Sequence, residues 1–190
     1  MKISHALLKS ALALAMAAPL MASAESSIVT GANTATGANA DLNFRVVIPE
    51  FISLRIGTGA VLTNNGTVDT VEFLLTDAQA TADGAVAATA GGTVQVALLA
   101  NVGDVDFGST GADLTDATSG DTIPLTSITS VDAGTLANPG FNTTVTSAAN
   151  FGRVVNRSGS WTFSYNHQGA TAPVAAGDYQ TTVTYTAAKP

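Results

Sequence analysis

From Leu42 onward, large apolar residues alternate with others: Leu42, Phe44, Val46 and Ile48, then Ile52, Leu54 and Ile56, all share one parity across Pro49. Apolar side chains at every second position line one face of a half-buried strand. The spacing predicts two strands here, or one strand broken at Pro49, because proline cannot donate to a ladder and marks an edge, a bulge or a crossing between sheets. Glu50 falls on the buried parity, which places a bend beside it.

The same period recurs further on. Val94, Val96 and Leu98 alternate with Thr93, Gln95 and Ala97, which predicts a central strand over Gly92–Leu99. Trp161, Phe163 and Tyr165 alternate with Thr162 and Ser164, and Tyr179, Thr181, Val183 and Tyr185 alternate with Gln180, Thr182 and Thr184. These two segments hold the only tryptophan and all three tyrosines. Aromatic side chains bury the most area each, so the core is expected between them. Their connection, Asn166 to Gly177, contains Gly169, Pro173 and Gly177 and is too long for a two-residue hairpin. Its start, Asn166-His167-Gln168-Gly169, reads as a turn with His167 exposed.

Weaker signals fill the remainder. Asn64-Asn65-Gly66 predicts a tight turn into a strand over Thr67–Leu75, and the alanine-rich stretch Asp77–Gly91 predicts a loop with at most one helical turn. Val105 and Phe107 mark a short strand; Ile123, Leu125 and Ile128 around Pro124 mark an edge strand; Asn138-Pro139-Gly140 marks a turn. Thr143–Val145 and Gly152–Val155 are further short strands. About eight to ten strands with turn signals between them, and no apolar helical stripe, predict an all-β sandwich or barrel over residues 41–190, and the long, uneven connections favour the β-sandwich.

The N-terminus changes the picture of where this domain works. Lys2 and Lys9, the apolar run Ser10–Met21 and the small residues Ala22-Ser23-Ala24 have the layout of a secretory signal peptide over residues 1–24, cleaved before Glu25. The run is too short to span a membrane, which needs about 20 apolar residues. Export to the periplasm, then the cell surface or medium, is the expectation. Removing 24 of 190 residues leaves 166, enough for one domain with a sizeable core. There is no cysteine, so stability comes from packing without disulfides. Residues 25–40 form a low-complexity extension in which Ile28 and Val29 are the only large apolar residues. Beyond the signal, Arg45, Arg55, Arg153, Arg157 and Lys189 face all fourteen acids, a net charge of −9. A field of that sign disfavours nucleic acid and anionic lipid as partners.

Candidate chemistry is sparse. Beyond the signal there is one histidine, His167, no cysteine and no Gly-x-Ser-x-Gly elbow, so an activated nucleophile with its base is not expected. The glutamates are Glu25, Glu50 and Glu72, and the aromatics that would stack on sugars read as core, which speaks against a glycosidase. No enzyme activity and no cofactor are expected. The nearest approach to a metal site is Asp104-Val105-Asp106-Phe107-Gly108 with Asp113, Asp116 and Asp121 beyond it. Asp-x-Asp-x-Gly resembles the start of a calcium loop, with Asp104, Asp106 and Asp116 as candidate ligands. Turn aspartates accepting local backbone hydrogen bonds account for the same residues.

The ending Ala176-Gly177-Asp178-Tyr179-Gln180-Thr181-Thr182-Val183-Thr184-Tyr185-Thr186 resembles the terminal strand of bacterial surface β-sandwiches, in particular chaperone-usher fimbrial subunits. Residues 25–40 resemble the N-terminal extension of such pilins, which supplies a strand to the next subunit. The chain departs from them in lacking the disulfide of many pilins and in ending Ala187-Ala188-Lys189-Pro190 rather than on an aromatic. The resemblance implies an immunoglobulin-like, pilin-like sandwich, self-association or other fibre subunits as partners, a periplasmic chaperone and usher, and assembly through Ile28, Val29, Gly177, Tyr179, Val183 and Tyr185. The implied function is a non-enzymatic structural subunit of a surface fibre or matrix, in adhesion or biofilm. Trp161-Thr162-Phe163 also resembles one Trp-x-Leu motif of another secreted family, with Phe in the last place. A binding module for glycans or host surfaces is the alternative.

Overall fold

The structure, a computed structural model, describes residues 26–31, 37–146 and 153–190. The signal peptide expected at 1–24 lies outside them, as does Glu25. The chain is all-β and sandwich-like, and divides into two units between Ile48 and Pro49.

In the first unit, Ala38 to Ile48 form neither helix nor strand, and every one of these residues is exposed. The strand expected over Leu42–Ile48 is therefore not formed. Alternation makes a segment able to be a strand, but its N–H and C=O groups also need a neighbouring strand to pair with. These residues belong to no ladder.

The second unit is built on one long strand. β1 (Ile52–Ile56), β2 (Asp83–Ala87), β3 (Thr93–Ala100), β7 (Ile128–Gly134) and β9 (Val155–Gln168) make a five-stranded antiparallel sheet. β9, 14 residues long, pairs with β3 over Val155–Thr162, with β2 over Ser164–Gln168 and with β7 over Gly159–Tyr165. Two glycines, Gly134 and Gly159, face each other in the β7–β9 register. A side chain at Gly159 would run into the Ala133 carbonyl, so the close approach of the two strands requires glycine there.

The remaining strands form two three-stranded sheets. One has the order β11 (Thr184–Ala188), β4 (Asp106–Thr110), β8 (Thr144–Thr146); the other β10 (Tyr179–Gln180), β5 (Leu114–Asp116), β6 (Thr122–Ile123). The two aromatic segments are thus not neighbours in a sheet. They face each other across the core, with the Trp161 and Tyr185 rings 5.1 Å apart and Phe107 6.2 Å from Trp161. Trp161, Phe107, Leu98, Leu136, Val96, Val105 and Val155 are fully buried around this contact. The Trp161 indole N–H donates to the Leu136 carbonyl at 2.9 Å, so its one polar atom is satisfied inside the core.

Three expectations change here. The strand expected over Thr67–Leu75 shrinks to an isolated bridge between Glu72 and Ala90, held by Glu72 N–H to Ala90 O at 3.0 Å and Thr89 N–H to Glu72 O at 2.7 Å. The alanine-rich stretch supplies one helical turn, α1 (Asp77–Ala80), started by a capping box between Thr76 and Gln79, and then the strand β2. Only Val86 of β2 is buried, opposite Tyr165, so its apolar face is too thin to stand out in the sequence. The terminal strand expected over Asp178–Thr186 is divided: β10 and β11 lie in different sheets, and the chain crosses between them at Thr181–Val183. The Thr181 hydroxyl holds the crossing to the Ala112 carbonyl at 2.9 Å.

Candidate functional site

The most unusual surface is the exposed row ahead of the packed unit. Leu42, Phe44, Val46 and Ile48 are 63%, 86%, 83% and 74% exposed. Taken with Ala38 and Ala40, every even-numbered residue from 38 to 48 is apolar, and all are exposed. The odd positions carry Asn39, Asp41, Asn43, Arg45 and Val47. In extended form this stretch has one dry face and one mostly polar face. Scattered exposed apolar residues are ordinary, whereas a contiguous row marks an interaction site.

The second unit begins immediately after this row and is pinned at its start. The Asn101 side chain donates to the Pro49 carbonyl at 2.8 Å and accepts from the Phe51 N–H at 2.7 Å. Lys189 pairs with Glu50 at 2.9 Å, tying the start of the unit to its end. Both partners are well exposed, so the pair adds little stability. Glu50, which falls on the apolar parity of the sequence, is exposed.

The residues expected to serve assembly belong to both units, and those of the second unit lie in different parts of it. Ile28 is 87% exposed and Val29 half-buried. Tyr185 packs in the main core against Phe107 and Trp161, while half-buried Tyr179 joins a smaller cluster with Val86, Ile123 and Tyr165. Gly177 sits against the Asp116 carboxylate and the Tyr179 ring, and half-buried Val183 lies at the crossing between them. Sequence reasoning missed the exposed row itself, because alternation reads the same whether or not a neighbour is present.

The calcium candidates are also dispersed. Asp104 is exposed, Asp106 is in β4 and Asp116 in β5 of a different sheet. Among the described residues no three acidic or histidine side chains come together as a metal site. Asp116 has another task. It is buried and closes the β5–β6 turn by accepting from the Thr118 and Ser119 N–H groups at 3.2 and 3.1 Å and from the Ser119 hydroxyl at 2.8 Å. The Ser119 hydroxyl, then the Thr118 N–H, hold this carboxyl below the ordinary carboxylate range against the opposing effect of burial. A carboxyl with a depressed folded pKa stabilises fully above the unfolded value of about 3.9, and that contribution is lost as pH falls through the folded value. The melting temperature of Asp116→Asn should therefore fall less than that of the native protein between about pH 5 and about pH 2. Parallel curves would show that the turn carboxylate is not linked to folding.

His167 is 6% exposed at the inner face of β9, not in a turn. It continues the parity of Trp161, Phe163 and Tyr165, a signal the Asn-His-Gln-Gly sequence hid. Its Nε2 lies 3.1 Å from the Ala80 carbonyl and its Nδ1 3.1 Å from the Tyr165 hydroxyl. A carbonyl only accepts, so Nε2 carries a proton and ties the end of α1 to β9. An open cleft of about 310 Å³ is lined by Phe107, Thr135, Asn138, Pro139, Val145 and Arg157 among others. Among the described residues Arg157 is its one ionisable lining group. No helix among the described residues is long and apolar enough to cross a membrane.

Comparison with protein-family models, with curated proteins and with solved structures finds no match.

Proposed function

We propose that this protein is a non-enzymatic, exported structural subunit of a surface fibre or matrix, with a pilin-like sandwich as its body and a role in adhesion or biofilm. One observation carries the reading: four large apolar side chains in a row stand exposed at Leu42, Phe44, Val46 and Ile48, directly ahead of a domain that already has its own core. Burying such side chains is worth about 1.5–3 kcal/mol each, or on the order of 6–12 kcal/mol for the row. Association costs about 4–15 kcal/mol in lost freedom, so apolar burial alone breaks even and main-chain pairing with a partner strand supplies the surplus. The partner is another subunit. Until assembly the row needs cover, which suits a periplasmic chaperone and usher as transient partners.

Charged substitutions in the row test this. Phe44→Asp or Val46→Asp should abolish self-association in light scattering and sedimentation velocity while leaving the melting temperature of the domain unchanged, since neither side chain is buried. Ile28→Asp should weaken assembly less, because Ile28 has only Val29 beside it. Assemblies that persist in both row variants would remove the basis of the reading.

A further inference from the structure

The residues flanking the row specify its partner more narrowly. We propose that the strand that pairs with residues 38–48 is the same segment of a second copy, antiparallel and centred on Asn43. This rests on the reading of the protein as a self-associating subunit and names the contact.

The stretch from Ala38 to Ile48 is self-complementary about Asn43. In an antiparallel pair centred there, Leu42 lies opposite Phe44, Ala40 opposite Val46 and Ala38 opposite Ile48, each pair joining a smaller side chain to a larger one on the dry face. On the other face Asn43 meets Asn43, and Asp41 of each copy lies opposite Arg45 of the other. The two-fold pair therefore contains two cross-strand ion pairs flanking an amide pair, and no like charges opposed. Shifting the centre to Arg45 would set arginine against arginine, and shifting it to Phe44 would separate Asp41 from Arg45. Charge thus selects one register among those the apolar row allows. Asp41 and Arg45 are both exposed, and neither is in an ion pair among the described residues. Pro49 ends the strand, since it cannot extend a ladder. A two-stranded ribbon alone is marginal in water, so the apolar faces of two ribbons close on each other, burying Leu42, Phe44, Val46 and Ile48 of four copies.

Charge reversal in the purified protein tests this register. Asp41→Arg alone opposes arginine to arginine twice, and Arg45→Asp alone opposes aspartate to aspartate twice; each should raise the concentration for half-association about tenfold or more in sedimentation velocity. An equimolar mixture of the two variants restores both ion pairs and should associate at about the native concentration. Asn43→Cys places the only cysteine of the chain at the two-fold centre and should yield a disulfide-linked dimer on mild oxidation, whereas Val47→Cys should not. Association that both single variants retain, or a mixture no better than its components, overturns the pairing while leaving the fibre reading to a different acceptor, such as an open sheet edge. A native protein that stays monomeric overturns both.

Discussion

Replacing Trp161 with alanine should lower the stability of the second unit by about 3–5 kcal/mol, the usual cost of emptying a buried aromatic site. Three features put this position at the high end. Trp161 is fully buried. Its ring touches Phe107, Phe163 and Tyr185, drawn from two facing sheets, so no single strand can collapse to fill the space. Its indole N–H satisfies the Leu136 carbonyl, which the variant would leave buried without that donor, a further cost of about 1–3 kcal/mol if water cannot enter. Trp161→Phe separates the terms: it keeps most of the ring and loses the hydrogen bond. The check is a denaturant midpoint displaced at unchanged slope, because the surface exposed on unfolding stays the same. A loss under about 1 kcal/mol would mean that the sheets are not packed through this side chain. The exposed row should be indifferent to it, since Leu42 to Ile48 contribute no side chain to the core that Trp161 organises.

The parts of this fold that were legible are those in which local pattern and tertiary environment agree. β3 and β9 alternate large apolar with small polar residues, and both are central strands with neighbours on each side, so the pattern and the burial coincide. The aromatic core was legible for the same reason, because Trp161, Phe163 and Tyr185 have few other ways to leave water. Short elements were not. β2 has a single buried side chain, and its place is fixed by pairing with β9, which no local signal encodes. His167 was misplaced because turn-forming neighbours outweighed a parity that continues straight through it. The division of the terminal strand into β10 and β11 depends on a crossing held by Thr181 and Ala112, a long-range contact. The candidate calcium ligands are dispersed for a similar reason: Asp104 is exposed ahead of β4, Asp106 opens that strand, and Asp116 belongs to another sheet. Leu42 to Ile48 carry a strand pattern and form no strand. An amphipathic strand encodes one half of a pair, and sequence does not say whether the other half is in the same chain.

The second large effect is a change in amide protection along residues 42–48. In the dilute monomer these amides belong to no ladder and their residues are exposed, so they should exchange with solvent near the rate of an unstructured peptide. The strands of the second unit supply an internal reference: central β3 and β9 should be the slowest to exchange in both states, because their opening approaches global unfolding. In the assembly, main-chain pairing and burial of the row should slow residues 42–48 by on the order of 1000-fold, equivalent to about 4 kcal/mol of local stability. Hydrogen–deuterium exchange with mass spectrometry, run on the same protein below and above its assembly concentration, measures this directly. Fast exchange over 42–48 in the monomer and strong protection in the assembly, with β3 and β9 unchanged, is the result expected of a subunit that joins through this segment. Protection already present in the monomer, or exchange that stays fast in the assembly, would contradict it.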